Sequence, residues 1–234
     1  MSTKPRPDRA EPALRASTRE TRRRLISAAL DLFGRQGFEA TGTRAVADAA
    51  GVNIAAIKYH FGGKEGLYAA VAGHIAGEIS GTVLPIIAEA RARADELTPD
   101  AARQILIAIL LSFNHLMVAN PETENWARFV MREQMAPTAA FDILYEGVMG
   151  RAHGFMTHLI ATITGDPLES PAARLTAFAM IGQVLIFRVA RAAVLRRMGW
   201  RNIGRAEEVQ IKDALRRTVA RLGAERPASE KGGR

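Results

Sequence analysis

The sequence predicts an all-α protein, with a short N-terminal helix-turn-helix head of three helices followed by a longer C-terminal helical bundle. Three observations carry this reading. Apolar residues recur with a period near 3.6 along most of the chain, and no segment alternates with the period-2, β-branched pattern of a strand. Caps, glycines and prolines cut that pattern into about nine or ten helices. Near the N-terminus, two short helices flank a glycine turn, which is helix-turn-helix spacing.

Residues 1–16 hold three prolines and mixed charges without periodicity, the composition of a flexible basic arm. Ser17 and Glu20 form an S-x-x-E capping box that opens a first helix. Its stripe is Leu25, Ala28, Ala29, Leu32 and Phe33, and Gly37 ends it. Thr43 can cap a second helix over residues 44–50, with Ala45, Val46 and Ala49 as the inner face and Gly51 as a left-handed stop. Asn53 can cap a third helix over residues 54–61, which Gly62-Gly63 breaks, and a fourth runs over residues 64–81. From Pro85 onward everything still reads helical. Thr98-Pro99 and Ser170-Pro171 each place a cap before a proline at the first helical position. Asn120-Pro121, Ala136-Pro137 and Gly165-Asp166-Pro167 punctuate the rest. The domain boundaries read as arm 1–16, head 17–64, bundle 65–223 and disordered tail 224–234.

Composition removes whole classes of function. The 234 residues include no cysteine, which excludes disulfides, thiolate metal sites and thiol nucleophiles. The charge-free stretch over residues 104–121 is interrupted by polar side chains and reads as a buried helix, since a span needs about 20 predominantly apolar residues. The opening MSTKPRPDRAEPALRAS has no apolar core of a signal peptide. The expectation is a soluble cytoplasmic protein from a reducing compartment. His60, His74, His115, His153 and His158 lie in no nucleophile or metal motif, and His74 with Glu78, one turn apart, does not close a metal site. Gly63-Lys64 fails as a P-loop because Lys58 occupies the first glycine position and Glu65 replaces Ser/Thr. No catalytic residue, no cofactor and no metal are expected.

The formal charge of +8 is unevenly placed. Residues 1–72 hold 12 basic and 7 acidic side chains, residues 73–189 hold 8 and 12, and residues 190–234 hold 12 and 5. Basic ends flank an acidic, apolar middle, so the pattern suggests a polyanion-binding head attached to something else. Arg22-Arg23-Arg24 could meet anionic lipid, but no strong hydrophobic anchor accompanies it. In the third helix the small residues Ala55 and Ala56 let backbone approach a groove wall. Lys58, Tyr59 and His60 offer hydrogen bonds to bases and phosphates, and Lys64 opens the next helix, where the dipole favours a phosphate.

The segment TRRRLISAALDLFGRQGFEATGTRAVADAAGVNIAAIKYHFGGKEGLYAAV resembles the N-terminal domain of the tetracycline-repressor (TetR) family of bacterial transcription regulators. The ordered set comprises the ALDLF helix, Gly37-Phe38 and Thr41, the turn at Ala47, Ala50, Gly51 and Val52, then Tyr59 to Phe61 and Lys64 to Leu67. The resemblance implies that the third helix enters the major groove and that the chain dimerises through its C-terminal helices. Thr43, His60 and Lys64 carry over by position, with Arg44, Asn53, Ala55, Ala56, Lys58 and Tyr59 completing the candidate DNA contacts. Most members carry tyrosine where Lys58 stands, so Tyr59 either reaches DNA or packs inside the head.

The run ENWARFVMREQMAPTAAFDILYEGVM is similar to the effector domain of a subgroup called CecR-like or CerR-like, which implies a small-molecule effector. Candidate pocket residues are Phe113, Met117, Trp126, Phe129, Met131, Arg132, Met180, Gln183 and Phe187. Arg132, charged within an apolar helix beside Glu133, needs a partner or an anionic ligand unless it points outward. The helix over residues 171–197 is apolar around much of its circumference, and a last helix over residues 207–222 carries Leu215 and Val219 among arginines. Phe178, Ile181, Leu185, Val189, Leu215 and Val219 are therefore the candidate dimer interface. The expected partners are double-stranded operator DNA, a second copy and a small effector, with no membrane; the expected function is a ligand-responsive repressor or, alternatively, an activator.

Overall fold

The structure, a computed structural model, describes residues 10–91, 97–119 and 123–224, so the first part of the expected arm and most of the expected tail lie outside the described residues. These residues form eleven α-helices: α1 (Ala10–Gln36), α2 (Thr43–Ala50), α3 (Ala55–Phe61), α4 (Lys64–Arg91), α5 (Pro99–Asn114), α6 (Glu124–Met135), α7 (Ala139–Leu144), α8 (Gly150–Thr164), α9 (Pro171–Val189), α10 (Arg191–Met198) and α11 (Arg205–Arg221). Single π-helical turns, His115–Ala119 and Tyr145–Met149, continue α5 and lead into α8.

The two cap-proline signals are realised. The hydroxyls of Thr98 and Ser170 accept from the N–H groups of Ala101 and Ala173, each at 3.2 Å, with proline at the first helical position. Other signals mislead for identifiable reasons. The helix α1 begins at Ala10, so Ser17 and Glu20 lie inside it, and Glu20 instead accepts from Arg23 at 2.8 Å. A capping box and an interior i,i+3 pair share the same sequence spacing. Gly42, not Thr43, is the cap of α2, whose buried face is Val46, Ala47 and Ala50 rather than Ala45, Val46 and Ala49. The fourth helix, expected over residues 64–81, runs on to Arg91 with Pro85 inside it. The expected helix over residues 171–197 is two helices, broken at Ala190, whose ψ of 27° leaves the helical range without a glycine or proline to announce it.

Helices Lys64–Arg91, Pro99–Val118 and Pro171–Val189 are each long and apolar enough to cross a membrane by length and composition. Counting charge-free residues hides this, because α5 reaches back through Arg103 and Asp100 to Pro99.

Packing divides the chain into two compact units, Met1–Ile75 with Asn125–Ile143, and Ala76–Glu124 with Leu144–Arg234. The first therefore recruits α6 from the middle of the sequence, beyond the boundary after residue 64 suggested by motif alone. Its core joins Leu25, Phe33, Val46, Ile57, Leu67 and Phe129. Tyr68 lies edge-on to Phe33 and Phe38 at centroid distances of 4.9 Å and tilts over Phe129 at 4.5 Å. Its hydroxyl donates to the buried Glu133 carboxylate at 2.7 Å, and the N–H and hydroxyl of Thr138 donate to the other oxygen at 3.0 and 2.9 Å. Burial and the hydrogen bond to Glu133 hold the Tyr68 phenol well above its ordinary range. At Gly34 a Cβ would come within 2.7 Å of the Asn125 carbonyl oxygen, so glycine permits the approach of α1 to α6.

The second unit is a bundle in which α5 packs on α8, α9 and α11. Leu106, Leu110, Met117, Leu159, Ile160 and Val184 lie in its core. His153 in α8 meets the Phe178 ring edge-on at 4.8 Å, and its Nδ1 is buried without a hydrogen-bond partner. Burial holds its imidazole below the ordinary range. The neutral ring's contribution is thus complete above the unfolded value, about 6.5, and is lost as pH falls through the lower folded value. Bundle stability should fall on acidification below neutrality, and His153→Leu should remove part of that slope in urea titrations at stepped pH. An unchanged slope would reject His153 as its source.

Candidate nucleic-acid interface

The geometry of α2 and α3 follows from three local devices. Gly51 turns the chain at φ 62°, a left-handed conformation suited to glycine, and its carbonyl accepts from the Arg24 guanidinium at 3.1 Å. Asn53 Oδ1 then accepts from the Ala55 N–H at 2.8 Å, a local turn that leads into α3, whose cap position is Ile54 rather than the expected Asn53. Gly62, at φ 78°, closes the helix. Ile57 anchors α3 in the core at 2% exposure.

Opposite Ile57, the residues Ala55, Lys58 and Tyr59 face solvent, and Arg44 on α2 is exposed as well. Tyr59 is 81% exposed with His60 edge-on at 4.9 Å, so the alternative in which it packs inside the head does not hold. Thr43, Ala56 and His60 are half-buried, and Asn53 is exposed. The Lys64 ammonium stands 4.3 Å from the Phe38 ring centroid and donates to the Glu39 carbonyl at 3.4 Å. The Arg22 guanidinium lies 5.1 Å from the Phe61 ring centroid. The basic cluster of α1 therefore braces the turn: Arg22 covers Phe61, while Arg24 fixes Gly51. The nine candidate contacts fall on α2, on α3 with the preceding Asn53, and on Lys64 at the start of α4, and α3 itself carries no acidic side chain.

The candidate pocket residues do not fall in one place. Phe113, Met117, Met180, Gln183 and Phe187 belong to the second unit, whereas Trp126, Phe129, Met131 and Arg132 belong to the first. Phe129 is fully buried under Tyr68, and Trp126 meets His74 edge-on at 5.9 Å. Arg132 is exposed and donates to the Arg35 carbonyl at 3.2 Å. The buried charged residue of that pair is Glu133, one position on, because the helical stripe of Phe129 and Val130 carries Glu133 inward. In the dimer set, Leu215 and Val219 are buried within their own bundle, so they are not available to a partner. Phe178 and Val189 are exposed, and Ile181 and Leu185 are half-buried. The exposed residues Leu175, Ile186 and Val209 were not in the set; their placement depends on which face of α9 and α11 the bundle covers.

Residues 25–71 match the bacterial regulatory proteins of the tetR family, and residues 102–225 match the C-terminal domain of the HTH-type transcriptional dual regulator CecR. The chain is 38% identical over 191 residues to the HTH-type transcriptional dual regulator CecR of Shigella flexneri, covering 81% of this chain and 85% of that one. The chain belongs to the TetR family. It is a DNA-binding transcriptional regulator with a CecR-type C-terminal domain. The TetR fold is also seen in solved structures. AibR in complex with isovaleryl coenzyme A and operator DNA superposes with a TM-score of 0.62 at 17% identity, over 85% of this chain and 97% of that one. A TetR-like regulator from Rhodococcus sp. RHA1 gives 0.60 at 20% identity, over 88% and 97%.

Proposed function

We propose that the chain is a homodimeric repressor that places α3 of each protomer in the major groove of a palindromic operator and is released by a small-molecule effector. The observation that carries this reading is the outward face of α3, where Ala55, Lys58 and Tyr59 are exposed opposite the buried Ile57. Small residues let the helix approach the groove, and Lys58 with Tyr59 reach base edges and phosphates. His60 reads bases from the end of the same helix. Lys64, Thr43 and Arg44 bind phosphate, and Asn53 and Ala56 border the groove. Half-sites should lie roughly 34–36 Å apart, or a multiple of that, along the duplex. Effector binding must favour one arrangement of the heads over the other to release DNA. AibR, whose structure holds both isovaleryl coenzyme A and operator DNA, supports an effector of small-molecule class.

Binding assays on Lys64→Ala and Lys58→Ala test the roles. Loss of Lys64 should weaken specific and non-specific duplexes alike and reduce the salt slope by about one charge. Loss of Lys58 should cost about 1–3 kcal/mol on the operator and relax preference at one base position. Equal losses on both duplexes for both variants would overturn the division of labour.

A second reading, activation at some promoters, is supported by the relative's description as a dual regulator. In either case the chain acts in the cytoplasm, where the DNA is, without catalysis or membrane attachment; the apolar helices serve bundle packing and dimerisation. Liposome flotation checks this, since retention on anionic vesicles in the absence of DNA would count against it.

A further inference from the structure

The helix α10 is amphipathic yet buries none of its residues. Between it and α11 lies a cavity of about 460 Å³ whose wall includes Phe187, Val194, Met198, Trp200 and Ile211. Arg197 and Arg217 also line it. The acidic residues of α11 are committed elsewhere: Glu207 accepts from the Gly204 N–H at 2.9 Å, Glu208 pairs with Lys212 at 2.7 Å, and Asp213 pairs with Arg216 at 2.8 Å. An open, mainly apolar groove within the ordinary size range of ligand sites thus carries two guanidinium groups without a carboxylate of their own among the described residues. Guanidinium groups match carboxylate geometry, and a hydrocarbon body suits the wall.

We infer that this cavity binds an amphipathic carboxylate, with the acid group held by Arg197 and Arg217 and the hydrocarbon part against Trp200 and its neighbours. The site goes beyond the operator reading and does not depend on it. It also gives a use to part of the C-terminal basic excess. A second copy of the chain is the competing occupant. Yet Gln210, Ala214 and Arg217, which line the cavity, follow a different stripe of α11 from Val209, Asp213, Arg216 and Ala220, which are exposed and do not line it.

The chain contains two tryptophans, so Trp126→Phe leaves Trp200 as the sole reporter. Titration with decanoate, decanol and decyltrimethylammonium should give a saturable emission change with decanoate, at least tenfold weaker binding of decanol and none of the cation. Arg197→Ala with Arg217→Ala should weaken decanoate tenfold or more and leave decanol unchanged; both arginines are exposed, so folding should be preserved. Calorimetry on the unsubstituted chain repeats the series independently of the Trp126→Phe variant. Equal affinity for all three amphiphiles, no saturable response, or a response unaffected by the double substitution would overturn the site. So would a decanoate response that appears only when dilution separates copies, since the cavity would then be an interface. None of these readouts uses DNA, so their failure leaves the operator reading standing.

Discussion

Placing glutamate at both Phe178 and Val189 should convert the regulator to monomers and lower operator affinity by roughly 10²–10⁴. Along α9 the exposed large apolar residues are Leu175, Phe178, Ile186 and Val189, from 49% to 69% exposed. They fall on one helical stripe with Gly182 between them, so a second copy can meet them as a continuous seam. Fully burying each such side chain contributes about 1.5–3 kcal/mol. An unpaired carboxylate in that seam would oppose association by several kcal/mol, as roughly 3–5 kcal/mol is the cost of leaving a buried charge without its partner. Because Phe178 and Val189 already face solvent in the protomer, the variant should fold. In the proposed homodimer the affinity loss arises from geometry: two tethered heads make the second half-site contact intramolecular, and a monomer forfeits this. Sedimentation should show the monomer, while binding to an isolated half-site should match the unsubstituted protein. A persisting dimer would reject α9 as the interface, and a weakened half-site would show damage to the head instead.

The second large effect lies far along the chain from the recognition helix. Phe129→Ala should destabilise the first packing unit by about 3–5 kcal/mol. Its ring is fully buried, 4.5 Å from Tyr68, which in turn touches Phe33 and Phe38 of the head. Truncation would leave a cavity under Tyr68 and loosen the hydrogen bond that Tyr68 donates to Glu133. Urea titration followed by amide exchange should show the loss in α1 to α3 as well as in α6. A change below about 1 kcal/mol, or one confined to α6, would mean that the ring is not shared with the head.

The reading head was the most legible part of the sequence because its signals are local. Gly51 and Gly62 adopt the left-handed turns their positions call for, and Asn53 accepts from the Ala55 N–H in the turn that leads into α3. The caps at Thr98 and Ser170 were legible for the same reason. Orientation was harder to read. In TRAVADAA two overlapping apolar faces fit the helical period, and only packing selects Val46, Ala47 and Ala50. The pocket candidates scattered because apolar character marks burial without saying against what: Phe129 fills the head's core, and Leu215 and Val219 fill their own bundle's. Arg132 is a charge in an apolar run, yet its neighbour Glu133 carries the buried network. Pairing a tyrosine with a carboxylate 65 positions away leaves no local trace.

The first packing unit is discontinuous, assembled from residues up to Ile75 and then from Asn125–Ile143. During synthesis, the recognition helix can emerge and coil long before Phe129 and Glu133 exist to complete the core beneath it. The core around Tyr68 is completed only when α6 has been made, by which point α4 and α5 precede it in the chain. Cutting out residues 1–75 as a minimal DNA binder would remove the floor on which Tyr68 rests.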